Sequence, residues 1–218
     1  MKRRSLGVLG VAGVALVAGA LVAAMYPRGL RRRWLHWGAT AEEVARRIPG
    51  EEAMDEVDLV TTRAVSIDAA PGHIWPWLVQ MGSGRGGAYS YDWIENLFGL
   101  DMHSADEIQP ELQALMVGDE LPLGPKGPAM RVAVLRRNEV LGFRSVDGHW
   151  LWLFALHPEG ATTRLISRNV IIMPRGSRVG HLAWRVVMEP GSLVMERKML
   201  LGIKSRAERT AAASVLAV

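Results

Sequence analysis

From Leu59 onward the chain consists of short apolar runs separated by turn residues, and several runs alternate with polar positions. This pattern predicts β-strands at 59–67, 120–123, 130–136, 140–145, 150–157 and 163–173. Apolar residues at helical spacing predict helices at 73–81, 91–98 and 179–206, the last expected to kink or break at 189–191, where a proline falls. One strand, two short helices, a run of strands and a long final helix make the fold class α+β.

The N-terminal segment has a different pattern, because Leu6 to Met25 is a run of 20 residues without a charge. As a helix it would span about 30 Å, the thickness of the hydrocarbon layer of a bilayer. A cleaved signal peptide is the alternative, with small residues at 22–24. The length of the run and the arginines at 28 and 31–33 favour a retained single-pass transmembrane helix. The larger number of arginines after the run favours a cytoplasmic location for the following domain.

These patterns divide the chain into four parts. Residues 1–27 are expected to be the membrane anchor, and 28–58 a basic, then acidic, juxtamembrane linker. The linker contains a short helix, since Thr40 and Glu43 have the spacing of a capping box. Residues 59–208 form the folded domain and 209–218 a tail.

Composition and charge exclude several functions. The chain has no cysteine, which rules out a disulfide scaffold, a thiol nucleophile and thiolate metal sites. The net charge is +4, but the first 40 residues hold seven of the 26 basic residues and no acidic residue. The remainder has 19 basic and 22 acidic residues, a net charge of −3. Such a domain is not expected to bind nucleic acid, because nucleic-acid-binding domains usually have a positively charged face.

Five segments together resemble the START/Bet v 1-like superfamily, also called SRPBCC or polyketide cyclase/dehydrase-like. They are VSIDAAPGHIWPWLVQMG, VGDEL, LWLFALHP, TTRLISRNV and MERKMLLGIKSRAE, and the resemblance covers about 59–208. It implies a helix-grip fold, in which a curved antiparallel sheet surrounds a long C-terminal helix. It also implies a cavity between them for lipids, sterols, polyketides or other apolar molecules. Members range from carriers and sensors to cyclases, so the fold alone does not choose a function.

Large rings and flexible methionines are the candidate cavity lining. The chain has eight tryptophans, and rigid rings make good walls for an apolar cavity, although an ordinary aromatic core would use them equally well. Methionine adapts to ligands of varied shape. The predicted ligand-binding residues are Trp75, Tyr91, Trp93, Trp150, Trp152, Phe154, Arg168, Met195 and Met199.

Arg168 is in this set because it shares a side of its predicted strand with Ile166 and Val170. If that side faces inward, the guanidinium is a buried cation that requires an anionic partner. The sequence offers Glu196 or Asp92 for this role.

Motifs for catalysis and for metal binding are weak. Asp92 and Glu95 are neighbours on a predicted helix and would suit acid–base chemistry if one were desolvated, but helix capping by Asp92 is the simpler explanation. His103 has no partners at the spacing of a metal site, and the sequence contains neither HExxH nor GxSxG. The glycine-rich segment 82–87 lacks the ending of a phosphate-binding loop. We therefore expect no metal and no cofactor.

The sequence predicts a membrane-anchored domain that binds a hydrophobic or lipid-like small molecule in an internal cavity. The alternative is an enzyme of polyketide cyclase/dehydrase type that acts on an apolar substrate in the same cavity. It would use residues among Asp92, Glu95, His103 and Arg168. A third possibility is an interaction domain with a closed core and an exposed apolar patch. The absence of catalytic motifs favours binding.

Overall fold

The computed structural model describes residues 28–54, 56–124, 129–173, 176 and 184–216. Its helices are α1 (Arg28–Leu35), α2 (Ala41–Ala45), α3 (Pro71–Val79), α4 (Asp92–Leu97) and α5 (Glu189–Leu216). Short 3-10 helices lie at Glu51–Ala53 and Pro110–Leu112. The strands are β1 (Leu59–Ile67), β2 (Glu120–Pro122), β3 (Ala129–Arg136), β4 (Val140–Ser145), β5 (Trp150–Glu159) and β6 (Thr162–Ile171).

The predicted transmembrane segment, 6–25, lies outside the described residues. Among the helices that the structure does describe, none combines the length and the apolarity needed to cross a bilayer.

All six strands form a single antiparallel sheet in the order β1-β6-β5-β4-β3-β2. The strands lie close to where the alternation predicts them, and β1 has the predicted bounds. The register between β3 and β4 shifts between Val132 and Val134, where the extra residue bends the strand. The long helix α5 packs against α3 and β1. An antiparallel sheet packed against a long C-terminal helix is the arrangement of a helix-grip fold.

The long helix begins where the sequence predicts a kink or break. A π-helical turn at Trp184–Met188 leads directly into α5, so that Pro190 lies in its first turn. Backbone N–H groups in the first turn of an α-helix have no intrahelical acceptor, and a proline there removes no hydrogen bond. From this point the helix continues without interruption to Leu216, past the predicted end at 206.

The main core lies between α5 and one face of the sheet. Buried side chains of α3, β5, β6 and α5 fill it, including Trp77, Phe154, Leu165 and Ile203. Gly202 allows α5 to approach the 82–91 loop closely, since a Cβ atom at this position would lie 2.4 Å from the carbonyl oxygen of Tyr89.

The segment before β1 covers the opposite face of the sheet. Ile48 and Met54 are buried there against side chains of β1, β4, β5 and β6. The predicted capping box is present at the start of α2, because the backbone N–H of Glu43 donates to the Thr40 hydroxyl at 3.2 Å and the backbone N–H of Thr40 donates to the Glu43 carboxylate at 2.7 Å. Both faces of the sheet are therefore buried, one by α5 and the other by this segment.

Candidate ligand cavity

A cavity of about 560 Å³ lies between the sheet and the first half of α5. Strands β1, β5 and β6 form one wall, α5 with its preceding π-turn forms another, and α4 contributes Glu95. Its volume falls in the range of small-molecule sites, which is about 300–1,000 Å³. The apolar lining includes Leu59, Trp150, Trp152, Met188, Met195 and Met199.

Two stacked indoles form the sheet wall of the cavity. Trp150 and Trp152 occupy alternate positions of β5 and hence the same face, with ring centroids 5.5 Å apart. The Trp150 indole N–H donates to Asn169 Oδ1 at 2.9 Å. The Trp152 indole N–H donates to Ser167 Oγ at 2.9 Å. These hydrogen bonds fix both rings while their apolar faces remain available.

A buried polar network lies at the base of this wall. Glu196 of α5 accepts a hydrogen bond from Ser167 Oγ at 2.6 Å, from Asn169 Nδ2 at 3.1 Å, and from Arg63 Nη1. The register of β1 with β6 brings these groups together, because Arg63 is paired with Ser167 and Thr61 with Asn169. Burial raises the pKa of Glu196, while the Arg63 guanidinium and the Ser167 hydroxyl act in the opposite direction.

Arg63 also connects the network to the N-terminal helix. Its Nε donates to the backbone carbonyl of Trp34 at 3.2 Å, and its Nη2 donates to Ser192 Oγ at 3.0 Å. In the same region Arg31 of α1 donates from two nitrogens to the Glu189 carboxylate, at 2.8 and 2.9 Å. Because Glu189 and Ser192 line the cavity, α1 is attached to the cavity rim.

Glu95 is a second carboxyl group at the cavity. Its residue is only 9% exposed, and its Oε2 atom has no hydrogen-bond partner among the described residues. Burial, together with the nearby Asp92 carboxylate, raises the pKa of Glu95 to about 7, against the opposing effect of the Ser90 hydroxyl. Asp92 itself accepts hydrogen bonds from Ser104 N at 2.8 Å and Ser104 Oγ at 2.6 Å. The two carboxyl groups therefore have different roles, since Asp92 orders a loop and Glu95 lines the cavity.

Four of the nine predicted ligand-binding residues line the cavity: Trp150, Trp152, Met195 and Met199. Trp75 and Phe154 are buried in the main core and are not part of the lining.

Two others lie away from the lining as well. Trp93 is 70% exposed on α4, contrary to its expected place in the wall. Tyr91 lies beneath the Lys198 ammonium, which is 5.7 Å from the ring centroid. This cation–π contact accounts for the position of the Tyr91 ring without a ligand.

Arg168 is buried as expected, but on the face of the sheet opposite the cavity. It donates to Thr62 Oγ1 at 3.0 Å, to the Glu51 carboxylate, and to backbone carbonyls of residues 43, 44 and 46. Its anionic partner is therefore Glu51 rather than Glu196 or Asp92. The guanidinium fastens the segment before β1 to the sheet.

The residues proposed for catalysis do not converge. Of the four, Glu95 alone lines the cavity, and His103 is a solvent-exposed side chain 3.1 Å from Asp101. No group of three or more His, Asp or Glu residues that could hold a metal ion occurs among the described residues.

The glycine-rich segment 82–87 is held in place by Arg85. Its guanidinium donates to the backbone carbonyls of Val79, Met81 and Leu112.

Arg63, which holds the polar network beside the cavity, was not singled out from the sequence, and Glu196 was considered only as a partner of Arg168. Arg63 is the one charged residue in the strand segment LVTTRAVSI, whereas Glu196 is followed by the basic residues Arg197 and Lys198 on the last helix. A single charge within a strand is the signal that could have found Arg63, because charged side chains are rarely buried without a partner.

Comparison with known proteins gives structural likeness only. No known protein-family profile matches the chain, and no curated protein matches it. Among solved structures, a polyketide-cyclase-like protein from Corynebacterium glutamicum is 15% identical, covering 69% of this chain and 91% of that one, with a TM-score of 0.42. The Aha1 protein from Colwellia psychrerythraea is 14% identical over 69% and 97%, with a TM-score of 0.41. The Zhui aromatase/cyclase from Streptomyces sp. R1128 is 13% identical over 72% and 97%, with a TM-score of 0.40.

Proposed function

We propose that the protein is a membrane-anchored domain that binds a hydrophobic or lipid-like small molecule in its internal cavity. The observation that carries the proposal is the cavity of about 560 Å³ with stacked indoles on one wall and methionines on the other. Rigid rings offer contact area with little loss of entropy, and methionines adapt to an irregular chain. An apolar molecule in this space gains free energy by leaving water.

The attachment of α1 to the cavity rim supports a location at a membrane. Only Tyr26 and Pro27 separate the apolar run ending at Met25 from α1. The eight residues of α1 span about 12 Å, and its Arg31 binds Glu189 at the rim. A membrane helix formed by the run would therefore hold the cavity close to the bilayer, the source of such ligands. The arginine count favours the cytoplasmic side.

Exposed apolar side chains beside the cavity are consistent with exchange of ligand with a bilayer. Trp93 and Leu97 are exposed on α4, the helix that places Glu95 at the cavity, and Phe98 is exposed directly after it. Val187 and Met188 are exposed at the π-turn, and Met188 also lines the cavity. Exposed apolar surface of this kind marks sites of contact with lipid or with other apolar partners.

Extraction of the purified full chain tests the binding function. Chloroform–methanol extracts of the wild type, Met195→Trp and Met116→Trp are compared by mass spectrometry. The first substitution places a larger side chain in the cavity and narrows it, and the second makes the same chemical change at an exposed site. We expect an amphiphile retained by the wild type and Met116→Trp, and depleted in Met195→Trp. Equal extracts from all three proteins would contradict the proposal.

Fractionation tests the anchor separately. The full chain is expected to remain in the membrane pellet after extraction with alkaline carbonate, as an integral membrane protein does. Recovery of the full chain in the soluble fraction would contradict the anchor while leaving the cavity function standing.

Acid–base catalysis on an apolar substrate in the same cavity is the second candidate, in the manner of a polyketide cyclase or dehydrase. The observation in its favour is Glu95, a carboxyl group at the cavity with a pKa of about 7, suited to proton transfer near neutral pH. The molecules extracted from the wild type and Glu95→Gln distinguish the two functions. A catalyst accumulates substrate in the variant and therefore yields molecules of different mass. A carrier yields no pair of molecules related as substrate and product.

A further inference from the structure

We infer that the cavity selects an amphiphile with a primary ammonium headgroup, which binds to the carboxylate of Glu95. The inference rests on the proposed function and adds the chemical class of the ligand. It follows from which polar groups of the cavity already have partners, and from the sign of the charges around it.

The polar groups at the base of the sheet wall already have partners. Both indole N–H groups donate to β6 side chains. Ser167 donates to Glu196, and Asn169 Nδ2 donates to Glu196 and to Thr61. A ligand headgroup placed there would displace an existing hydrogen bond. The base of the wall therefore favours the hydrocarbon part of a ligand, which requires no hydrogen bond.

Glu95 differs from these groups. Among the described residues that line the cavity, it has the one buried side-chain oxygen without a hydrogen-bond partner, Oε2. A buried carboxylate oxygen can only accept, and leaving it unpaired costs about 1–3 kcal/mol or more. A ligand that brings a hydrogen-bond donor removes this penalty, and a ligand that brings only acceptors does not.

The charges around the cavity favour a cationic donor over a neutral one. Its lining contains four carboxyl groups, and no Lys or Arg is among the lining residues that the structure describes. Arg63 neutralises Glu196 and Arg31 neutralises Glu189, which leaves Glu95 and Asp147. Asp147 accepts from Ser145 Oγ at 2.5 Å and His149 N at 3.0 Å. An ammonium group would pair with Glu95, whereas a fatty-acid carboxylate would add a further negative charge.

The charge state of Glu95 gives the inference a pH dependence. With a pKa of about 7, Glu95 is mostly ionised at pH 8 and mostly protonated at pH 5.5. The other titratable groups of the cavity lining are Glu189 and Glu196 on α5 and Asp147 with His149 between β4 and β5. Asp92 lies on the same helix as Glu95, and Lys198 of α5 lies over the Tyr91 ring. A primary alkylamine remains protonated across this range, so the preference for it should be greater at pH 8.

Competition labelling tests the inference. The full chain in phosphatidylcholine vesicles is photolabelled with a C16 alcohol that carries a mid-chain diazirine. Hexadecylamine, hexadecanol and palmitate then compete at pH 8. Wild type, Glu95→Gln and Glu111→Gln are compared. Glu111 is exposed, so Glu111→Gln is a control that removes the same charge away from the cavity. Partition of each competitor into the vesicle is the same for all three proteins and cancels in the comparison.

We expect hexadecylamine to compete at about tenfold lower concentration in the wild type and Glu111→Gln than in Glu95→Gln. The concentration of hexadecanol needed for competition should differ less than twofold among the three proteins. Equal competition by the amine in all three proteins, or stronger competition by palmitate than by the amine, would overturn the inference and leave the proposed function intact. If none of the three competitors reduces labelling, both the inference and the proposed function are overturned.

A second measurement covers the case in which Glu95→Gln does not fold. In the wild type alone, the preference for hexadecylamine over hexadecanol should fall about fivefold or more between pH 8 and pH 5.5. An unchanged preference would overturn the assignment to Glu95.

Discussion

Arg63 of β1 and Glu196 of α5 form a buried ion pair between the sheet and the long helix. The same guanidinium binds the backbone of α1 and Ser192, and the same carboxylate binds Ser167 and Asn169. Because this network lies at the base of the cavity wall, it holds the helix at the spacing from the sheet that the cavity requires.

Removal of Arg63 alone is expected to be strongly destabilising. In Arg63→Met the Glu196 carboxylate remains buried without its cation, which should lower the free energy of unfolding by about 3–5 kcal/mol. The double variant Arg63→Met/Glu196→Leu removes both charges and should lose less than the sum of the single variants. Chemical denaturation measures each value.

The surface pair of Arg131 and Glu120 provides the control for that comparison. Both side chains are about half exposed, so Arg131→Met should lower the free energy of unfolding by less than about 1 kcal/mol. Losses of equal size at the two sites would show that the buried pair has no special role.

Stability should depend on pH through Glu95. Burial raises the pKa of Glu95 from 4.5 to about 7, so between these values the folded protein holds a proton that the unfolded chain releases. The free energy of unfolding therefore falls as pH rises from 4.5 to about 7, by about 3 kcal/mol, and levels off above. Glu95→Gln should lack this decrease. The difference in free energy of unfolding between the wild type and Glu95→Gln, measured across pH 4–8, gives the contribution of Glu95. Parallel pH profiles would rule out the raised pKa.

Gly202 should be intolerant of alanine, although alanine normally favours a helix. A methyl group at this position meets the Tyr89 carbonyl oxygen at 2.4 Å, so α5 or the loop must move. We expect Gly202→Ala to lower the free energy of unfolding by about 1–3 kcal/mol. Gly191→Ala is the matched change in the same helix. With no atom within 4 Å of its methyl group, it should be neutral or stabilise by up to about 1 kcal/mol.

Trp150 should contribute to ligand affinity beyond its effect on stability. Trp150→Leu removes one of the two stacked rings of the cavity wall and should weaken binding of hexadecanol about tenfold. Phe143→Leu is the control, because Phe143 is a buried core ring on the same face of the sheet that does not line the cavity. It should lower stability and leave affinity unchanged, and a similar loss of affinity in both variants would argue against a wall role for Trp150.

The strand pattern was predictable because alternation is a local property. The alternation that places Trp150 and Trp152 on one face of β5 follows directly from the sequence. The start of α5 does not, because the sequence predicts a helix from 179 that Pro190 kinks or breaks, whereas α5 begins at Glu189. Met195 and Met199, four residues apart on the last helix, lie on the same side of it for the same reason.

The position of Arg168 was not predictable in the same way. Arg63 and Arg168 lie on adjacent paired strands, but the register pairs Thr62 with Arg168 and Arg63 with Ser167. The two cations therefore point to opposite faces. Both faces of β6 are buried, so its pattern does not reveal which of them α5 covers. Only the register, a long-range property, assigns Arg63 to the cavity side.

Trp93 illustrates a second limit of sequence reasoning. Its size and its position on a predicted helix favour burial, yet α4 leaves it exposed and turns Glu95 toward the cavity. The hydrophobicity of a side chain predicts that its burial is favourable in free energy. It does not specify whether the protein itself or an external partner buries the side chain.

Mapping the sites of photolabelling shows whether an apolar chain occupies the cavity. The wild-type full chain in vesicles is labelled with the diazirine-bearing C16 alcohol, digested, and the modified residues are identified by mass spectrometry. We expect label on residues that line the cavity, Trp150 and Trp152 on β5 and Met195 and Met199 on α5, and we expect unlabelled hexadecanol to compete with it. Label confined to the 6–25 segment and to exposed side chains, with none on the cavity lining, would contradict this expectation.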